Sequence, residues 1–386
     1  MSEFRTIREL CSVVVDCPHS TPKWTANGKI VIRNKNIKHG KIDFSSPSYT
    51  DDEHFAQRIK RAKPQPGDII ITREAPIGDV GMIPENTECC LGQRMVLLRA
   101  NQSVCDNFYL LYSLQSLYVQ HQISWSEGTG TTVSNLRIPH LEQIQIPYLP
   151  LEQQAKISSV LRALEEKIEN NRRLNDNLQQ QAAALFSSLY DRTNTEVRFT
   201  DLIQILGGGT PKTGENTYWN GNIAFFTPKD VGTPYTLITE KTITEEGLSH
   251  CNSRLYPVNT VFVTARGTVG KVGMSGVPMA MNQSCYALVG KETHQLLVYF
   301  YTLKAVDRLK HKASGAVFDA ITTRDFESEQ IMKLSDDDAK AFFCIAEPMF
   351  QKVLNNCIEN LRLSTLRDSL LPKLMSGEVD VSAVQL

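Results

Sequence analysis

Apolar residues recur along two long stretches of the chain at alternating steps of four and three, which is the spacing of a coiled-coil seam. The first stretch, 151–190, contains no proline or glycine. Its seam consists of Ile157, Leu161, Leu164, Ile168, Asn171, Asn175, Leu178, Ala182, Leu185 and Leu189. Asparagine at a seam position weakens the helix pair but fixes its register. This pattern predicts one long, uninterrupted helix.

A second helix is predicted over roughly 336–375, with a less regular seam that changes phase after Leu361. Its seam residues are Ile345, Met349, Val353, Leu354, Ile358, Leu361, Leu366, Leu370 and Leu374. We therefore expect an interrupted helix. At ~1.5 Å per residue either helix is on the order of 50 Å long, which suits a spacer. The alternative is that both helices pack into an ordinary domain core. Val160 and Phe186, left over from the first seam, are candidates for partner contacts.

Short apolar runs rich in β-branched residues predict strands before each helix. They cover 29–32, 68–72 and 95–99 in the first globular segment, and 260–264 and 286–289 in the second. Helical patterns intervene at 108–118 and 295–310. The predicted fold class is therefore mixed α/β. The expected divisions are a globular segment 1–150, a helix 151–192, a second globular segment 193–335, and a second helix with a tail over 336–386.

The two globular segments carry the same landmarks, about 190 residues apart, which indicates an internal repeat. The run ITREAPIGDVGM at 71–82 aligns with VTARGTVGKVGM at 263–274. Further matches pair Leu91–Arg94 with Met281–Ser284, Gly130–Val133 with Gly315–Phe318, and Ile168–Arg172 with Ile358–Arg362. Because the order of landmarks is preserved, we expect two similar units related by a pseudo-two-fold axis.

The composition narrows the class of protein. A chain of 386 residues is longer than the ~250 residues that one core usually supports, so more than one folded unit is expected. No signal-like segment and no run of ~18 apolar residues is present, which favours the cytoplasm and no membrane contact. Nine scattered cysteines predict reduced thiols, and eight dispersed histidines predict no metal site.

The net charge of -1 gives no global attraction to nucleic acid and, taken alone, counts against a nucleic-acid partner. Two cationic clusters change this picture locally. They are Lys29, Arg33, Lys35, Lys38, His39 and Lys41, and then Arg58, Lys60, Arg61 and Lys63. Either cluster can also be an ordinary solvated surface.

Motifs for chemistry are missing from the sequence. An amino-methyltransferase needs an Asn/Asp-Pro-Pro-aromatic motif to hold a flipped base, and the chain has no Pro-Pro pair. Gly267–Val272 lacks the residues of a phosphate-binding loop, and no Gly-x-Ser-x-Gly motif occurs. We expect no catalytic residue, and a restriction enzyme that cuts or methylates alone remains a weaker alternative.

An ordered series of motifs resembles the specificity subunits of Type I restriction-modification systems, and it spans nearly the whole chain. In the second half the series is Gly208–Thr213, Tyr218–Ile223, Phe226–Asp230, Ile243–Leu248, Arg266–Lys271 and Met281–Ser284. In the first half it is Gly67–Ile70, Thr72–Gly78 and Ile146–Gln154. Two departures matter: Val14–Trp24 lacks the glycine run, and Leu334–Asp338 lacks the proline and the Glu-Gln-Gln. The two halves should therefore read different half-sites, and the two helices should begin differently.

The resemblance implies two target recognition domains separated by two long helices that form an antiparallel coiled-coil spacer. Each domain would read one half of a bipartite sequence in double-stranded DNA. The helices would bind two modification subunits, which use S-adenosylmethionine to methylate adenine at N6. A motor-nuclease restriction subunit would add ATP- and Mg-dependent translocation and cleavage. No cofactor is expected in this chain itself. A helical assembly scaffold that does not read DNA is the alternative.

Sequence reading requires side chains that reach base edges, with Arg suited to guanine and Asn or Gln to adenine. Trp24 and Trp219 are predicted to pack in their cores, with a contact to sugar and phosphate as the alternative, and Gly78, Gly81, Gly270 and Gly273 to serve the backbone. Each DNA-binding candidate can alternatively be a solvated side chain or a turn cap. The candidates are Lys23, Arg33, Asn34, Lys35, Asn36, Arg73, Arg94, Lys212, Thr213, Lys229, Arg266, Asn282 and Gln283.

Overall fold

The computed structural model describes residues 3–38, 40–125, 135–232, 234–312 and 320–384. It divides the chain into two compact units. Unit 1 comprises Met1–Glu166 together with Leu363–Leu386, and unit 2 comprises Lys167–Arg362. Three features of the sequence analysis lie outside the described residues: His39 and the paired stretches Gly130–Val133 and Gly315–Phe318.

Unit 1 is built of short strands and short helices that lead into one long helix, of which the residues from Lys167 onward belong to unit 2. In chain order these are β1 Glu3–Thr6, α1 Ile7–Leu10, β2 Cys11–Asp16, β3 Lys29–Ile32, β4 Ile37–Lys38, β5 Lys41–Ile42, β6 Ser48–Thr50, α2 Asp52–Arg58, β7 Ile69–Thr72, β8 Val80–Met82, β9 Cys89–Leu91, β10 Met95–Ala100, α3 Asn107–Gln115, α4 Leu117–Ser124, α5 Ile138–Gln143, β11 Gln145–Tyr148 and α6 Leu151–Tyr190. The main sheet has the order β2-β10-β7-β8, and a smaller sheet has the order β6-β3-β9.

The core of unit 1 follows from the alternation of side chains along the central strands. Neighbouring residues of a strand face opposite sides of a sheet. Ile69 and Ile71 pack against α3, whereas Ile70 packs with Ile32 of the smaller sheet and Met95. Both faces of β7 are therefore buried, which is why its sequence is a continuous apolar run.

Unit 2 repeats most of the element order of unit 1. Its elements are β12 Glu196–Arg198, α7 Phe199–Leu202, β13 Ile203–Gly207, β14 Trp219–Phe226, β15 Tyr235–Thr236, β16 Lys241–Ile243, α8 Glu245–Ser249, β17 Val261–Thr264, β18 Val272–Ser275, β19 Met279–Met281, β20 Cys285–Gly290, α9 Gln295–Lys312, α10 Thr323–Ser328, β21 Gln330–Met332 and α11 Asp336–Ser376. The main sheet, β13-β20-β17-β18-β15, and the smaller sheet, β16-β14-β19, match those of unit 1 strand for strand, with β15 added.

Identical turns confirm the predicted repeat. Gly78 N–H donates to Thr72 O, and Gly270 N–H donates to Thr264 O, each at 2.9 Å. Both glycines have positive φ, 82° and 74°, a conformation that costs glycine little. Their predicted backbone role is thus confirmed.

Within unit 2, α6 and α11 run antiparallel and are joined by four asparagines. Asn171 Nδ2 donates to Asn360 Oδ1 at 2.9 Å, and Asn356 Nδ2 donates to Asn175 Oδ1 at 2.7 Å. The repeat of the helices is therefore Asn-x-x-x-Asn matched to Asn-x-x-x-Asn. The predicted match of Ile168–Arg172 with Ile358–Arg362 is wrong in register, because it followed a local Ile-Glu-Asn similarity.

The predicted interruption of the second helix is also wrong, since α11 is continuous from Asp336 to Ser376. Ile345 and Leu366, which were placed on the seam, are 49% and 45% exposed. The buried face instead carries Phe342 and Phe350, which pack in an aromatic cluster. Phe186 lies in the same cluster and is 1% exposed, so its suggested role in partner contacts is wrong.

The two long helices begin differently, as expected. At the start of α6, Gln154 is fully buried, accepts from Asp106 N–H at 2.9 Å, and donates to Val104 O at 3.0 Å and Leu149 O at 2.8 Å. At the start of α11 in unit 2, the chain has Ala339 on a groove of about 750 Å³. The helix start in unit 1 is thus filled by the buried amide of Gln154, whereas the helix start in unit 2 borders a groove.

All nine cysteines are free, as predicted from their spacing. No helix in the described ranges is both long and apolar enough to cross a bilayer. Among the residues that the structure describes, no three His, Cys, Asp or Glu side chains converge on a possible metal position.

Candidate nucleic-acid interface

Unit 1 contains a polar cleft of about 370 Å³ that gathers several of the predicted DNA-binding residues. It is formed by the loop before β3, the loop after β3, the turn after β7 and the turn between β9 and β10. Its lining residues are Pro22, Trp24, Arg33, Asn34, Lys35, Ala75, Gly92, Gln93 and Arg94. These four loops bring together residues that are far apart in the sequence. We call this feature the unit 1 cleft.

Backbone hydrogen bonds fix the loops of the cleft to one another. Gly92 N–H donates to Ile32 O at 2.7 Å, and Arg73 N–H donates to Arg94 O at 2.8 Å. Arg94 has a φ of 65°, which places it in the left-handed region that few non-glycine residues adopt. Its backbone is therefore held in one conformation beside the cleft.

Arg33 and Trp24 form the aromatic and cationic wall of the cleft. The Arg33 Cζ atom lies 5.0 Å from the centroid of the Trp24 ring, within the range of a cation–π contact. Trp24 is 45% exposed, so the prediction that it packs in the core is wrong. The prediction for Trp219 is confirmed, since its ring meets the edge of Phe225 with the centroids 5.5 Å apart.

Glu74 orients two other residues of the cleft. Its carboxylate pairs with Arg94 Nε at 3.2 Å, and its backbone oxygen accepts from Asn34 Nδ2 at 2.6 Å. Lys35 is exposed and donates to Ser46 Oγ at 3.4 Å. These contacts leave the Nη atoms of Arg94 and the ammonium of Lys35 close to solvent.

Lys23 lies on the loop before β3, and its Nζ is 3.5 Å from Asp51 Oδ2. Hydrogen bonds from His54 lower the pKa of Asp51 to about 2, with a smaller contribution from Lys23. Because the Lys23 side chain is 66% exposed, this ion pair is weak and does not prevent a phosphate contact.

Two predicted DNA-binding residues of unit 1 are instead structural. Asn36 is 4% exposed; its amide accepts from Arg33 N–H at 3.0 Å and donates to Asp43 O at 2.9 Å. Arg73 is bound by both Asp16 oxygens and by Leu136 O at 2.8 Å. Their donors and acceptors are committed within the protein, so neither is available to a base edge, and we remove both from the candidates.

Arg58, which the sequence placed in a surface cluster, is 6% exposed and supports the cleft from behind. It donates to four carbonyl oxygens: Leu91 at 2.7 Å, Ser20 at 2.8 Å, Gly92 at 2.8 Å and Pro18 at 3.2 Å. Burial lowers its pKa, yet an arginine stays charged at neutral pH. Arg58 thus ties the loop before β3 to the turn after β9.

Unit 2 builds the corresponding surface with the same backbone bonds. Asn282 N–H donates to Phe226 O at 3.0 Å, and Ala265 N–H donates to Ser284 O at 2.8 Å. Gly209 N–H donates to Met281 O at 3.1 Å and brings in the loop with Lys212 and Thr213. Here the equivalents of Arg33 and Arg94 are Thr227 and Ser284. We call these connected loops the unit 2 surface.

Most predicted side chains of unit 2 are exposed on this surface. Lys212, Thr213, Arg266 and Gln283 are exposed. Lys229 Nζ lies 3.5 Å from Glu240 in a pair where the lysine side chain is 79% exposed. Asn282 is half-buried, and its Oδ1 caps Ser284 N–H at 3.0 Å. Asn282 is therefore partly committed to the turn.

The chemistry of both surfaces is that of hydrogen-bond donors and cations. The nearby thiols are not activated, because burial raises the pKa of Cys17 and raises that of Cys89 and of Cys285 to about 12. A protonated thiol is a poor nucleophile. The arrangement suits binding of a polyanion.

Sequence reasoning missed Gln93 and Arg58 as parts of this site, and it favoured core packing for Trp24 over a contact with sugar and phosphate. For Trp24 the signal was its position, two residues after Pro22 in a polar loop where a core residue is unexpected. For Gln93 it was the match with Gln283 in the repeat. Arg58 gave no signal, since its partners are backbone atoms.

Comparison with known proteins gives a consistent result. The model of the Type I restriction modification DNA specificity domain matches residues 3–180 and again 192–333. The Type I restriction enzyme MjaIX specificity subunit of Methanocaldococcus jannaschii is 23% identical over 342 residues, which cover 82% of this chain and 78% of that protein. The HindI specificity subunit of Haemophilus influenzae is 28% identical over 186 residues, 47% of this chain and 40% of that protein.

The fold is also similar to a solved structure. The crystal structure of a Type I restriction-modification system S subunit from M. genitalium superposes with a TM-score of 0.62 at 18% identity, covering 97% of this chain and 96% of that one. At this identity the similarity concerns the fold.

Proposed function

We propose that this chain, which belongs to the Type I restriction-modification DNA specificity family, reads one half of a bipartite DNA target with the unit 1 cleft and the other half with the unit 2 surface. Membership of this family assigns it DNA target specificity, and specificity subunits are the non-catalytic components of such systems. The two half-sites and the docking of partners are the parts that we propose.

The observation that carries the proposal is the convergence of loops in each unit. In unit 1 the cleft gathers Arg33, Asn34, Lys35 and Arg94. In unit 2 equivalent backbone bonds place Arg266 and Gln283 on connected loops. Cations position a protein on the phosphate backbone, and forked or amide side chains read base edges. Both classes of side chain are present at the same place in each repeat.

The differences between the two sites support a target with two unlike halves. Unit 1 has guanidinium groups at 33 and 94, where unit 2 has the hydroxyl groups of Thr227 and Ser284. Because arginine and hydroxyl side chains form different patterns of hydrogen bonds with bases, the two units should select different sequences. This difference supports an asymmetric bipartite target.

The chemistry on DNA would belong to partners in the cytoplasm. Two modification subunits would dock on α6 and α11 and use S-adenosylmethionine to methylate adenine at N6, and restriction subunits would use ATP and Mg for translocation and cleavage. What supports docking on the helices is their length and the exposed residues along them, such as Leu174 at 42%. This chain would supply only the sequence specificity.

The test is single-molecule methylation sequencing of cells that express the chain together with its modification subunit. We expect a bipartite motif with methylated adenine that disappears when the chain is omitted. Arg266→Ala should relax one half of the motif or weaken its methylation, because removing a base or phosphate contact costs about 1–3 kcal/mol. Arg198→Ala, also exposed in unit 2 but on β12, is the matched control.

Methylation that does not depend on the chain would refute the proposal and leave the assembly scaffold as the better function. A scaffold would also bind random duplexes without preference.

A further inference from the structure

One arginine of the unit 1 cleft is oriented by its neighbours and yet has no acidic partner. The backbone N–H of Arg33 is held by Asn36 Oδ1 at 3.0 Å, and Asn36 itself is buried. Its guanidinium lies over the Trp24 ring at 5.0 Å. The backbone and the guanidinium group of Arg33 are therefore both constrained before any ligand binds.

Two other cations of this region are ion-paired. Arg94 pairs with Glu74 and Lys23 with Asp51. Within the part of the chain that the structure describes, no carboxylate pairs with Arg33. Its N–H groups thus remain free to donate, while its Cζ atom lies 5.0 Å from the centroid of the indole.

A planar guanidinium with free N–H groups matches one base edge in particular. Guanine presents two acceptors, O6 and N7, in the major groove, and arginine contacts both at once. An arginine already held beside an aromatic ring loses less rotamer freedom when it forms these bonds. The geometry favours a base contact over a phosphate contact, for which a flexible lysine suffices.

The equivalent position in unit 2 lacks this feature. Thr227 follows β14 as Arg33 follows β3, and its hydroxyl donates to Asp230 Oδ2 at 2.6 Å. A threonine tied to its own loop does not offer two donors to a base. The reading at this position should therefore belong to unit 1 alone.

We propose that Arg33, oriented by Trp24, is a specificity-determining residue that reads a guanine in the half-site of unit 1. This inference rests on the proposed function, because it requires that the unit 1 cleft faces DNA. It assigns one base of the target by its chemistry.

The experiment uses the full chain with its modification subunits and a pool of DNA duplexes of randomised sequence. Bound duplexes are sequenced for the wild-type chain and for Arg33→Ala, Arg33→Lys and Arg61→Ala. Affinity is then measured on selected duplexes with each of the four bases at every position of the half-site. Arg61 is exposed in unit 1 but does not line the cleft, so its variant controls for the loss of one positive charge.

We expect the wild-type chain to prefer guanine at one position by about tenfold to a hundredfold over other bases. Arg33→Ala should lose this preference at that position alone. Arg33→Lys should reduce it, because an ammonium lacks the planar fork, while the dependence of affinity on salt stays the same, because the charge remains. Arg61→Ala should keep the motif.

Two results would overturn the inference while the proposed function stands. One is a wild-type motif that Arg33→Ala leaves unchanged. The other is an equal loss of affinity on all sequences, which marks a phosphate contact. If the wild-type complex selects no motif at all, the proposed function itself fails.

Discussion

Replacing Arg58 by methionine should destabilise unit 1 and loosen its cleft. Two of the four hydrogen bonds of Arg58, those to Leu91 O and Gly92 O, are buried, and the two to Ser20 O and Pro18 O are partly buried. Water can replace the guanidinium at the partly buried oxygens but not at the other two. Each buried carbonyl left without a donor costs about 1–3 kcal/mol.

The substitution also stabilises the folded state in part, because the charged guanidinium of Arg58 no longer has to be desolvated when the chain folds. We therefore expect a net loss of about 2–4 kcal/mol in the free energy of unfolding. With a urea dependence of about 2 kcal/mol per molar, the midpoint for unit 1 should fall by about 1–2 M.

The assay is urea unfolding followed by tryptophan fluorescence, since Trp24 and Trp125 lie in unit 1 and Trp219 lies in unit 2. Arg61→Met, three residues away and exposed, should leave the midpoint unchanged. An Arg58→Met variant that unfolds with the wild type would refute the argument, because it would mean that the carbonyls find other donors at no cost.

Three further predictions concern other parts of the chain. Gln154→Ala should lower the stability of unit 1 by about 2–3 kcal/mol, because it leaves buried backbone groups unpaired, whereas the exposed Gln153→Ala should have no effect in the same urea titration. Asn175→Leu alone should lower the thermal midpoint of unit 2, because it leaves the fully buried Asn356 amide without its partner. Asn175→Leu combined with Asn356→Leu should raise that midpoint but allow the helices to shift in register, which cross-links between α6 and α11 would reveal as new pairs; one unchanged pattern would contradict a register role. The pKa of Glu88 is lowered to about 2 by Lys29 and Lys63, so the contribution of Glu88 to the stability of unit 1 is complete above pH ~4.5 and is lost as the pH falls towards ~2. The urea midpoint of Glu88→Gln should therefore drop less than that of the wild type between these two pH values. Equal drops in the two proteins would contradict this prediction.

Much of the fold could be predicted from the sequence, because the local pattern of apolar residues agrees with their burial in the structure. The strand Lys29–Ile32 was predicted with its observed bounds, and the central strands were recognised because both of their faces are buried. The second helix was misread because Phe342 and Phe350 face an aromatic cluster and not a regular seam. A heptad count has no means of anticipating that change of partner.

The candidate site was predicted in part. The exposed arginines Arg33 and Arg94 were identified because they follow strands in loops, where side chains are free. Asn36 and Arg73 also follow strands in loops, so the sequence does not distinguish them from Arg33 and Arg94. Their side chains are instead bound by Asp43 O and by Asp16, which only the fold brings close to them. Trp24 was misplaced for the reverse reason, since hydrophobicity alone favours the interior.

Arg58 has a consequence for how such a recognition surface can change over time. It binds carbonyl oxygens, which every residue type possesses, so it holds the loops whatever side chains they carry. Substitutions at the positions that face the ligand can then alter the sequence that is read without a penalty in loop geometry. Because the loops are held through their main chain, side chains that contact DNA can change, and new target sequences can be acquired, without loss of stability of the fold.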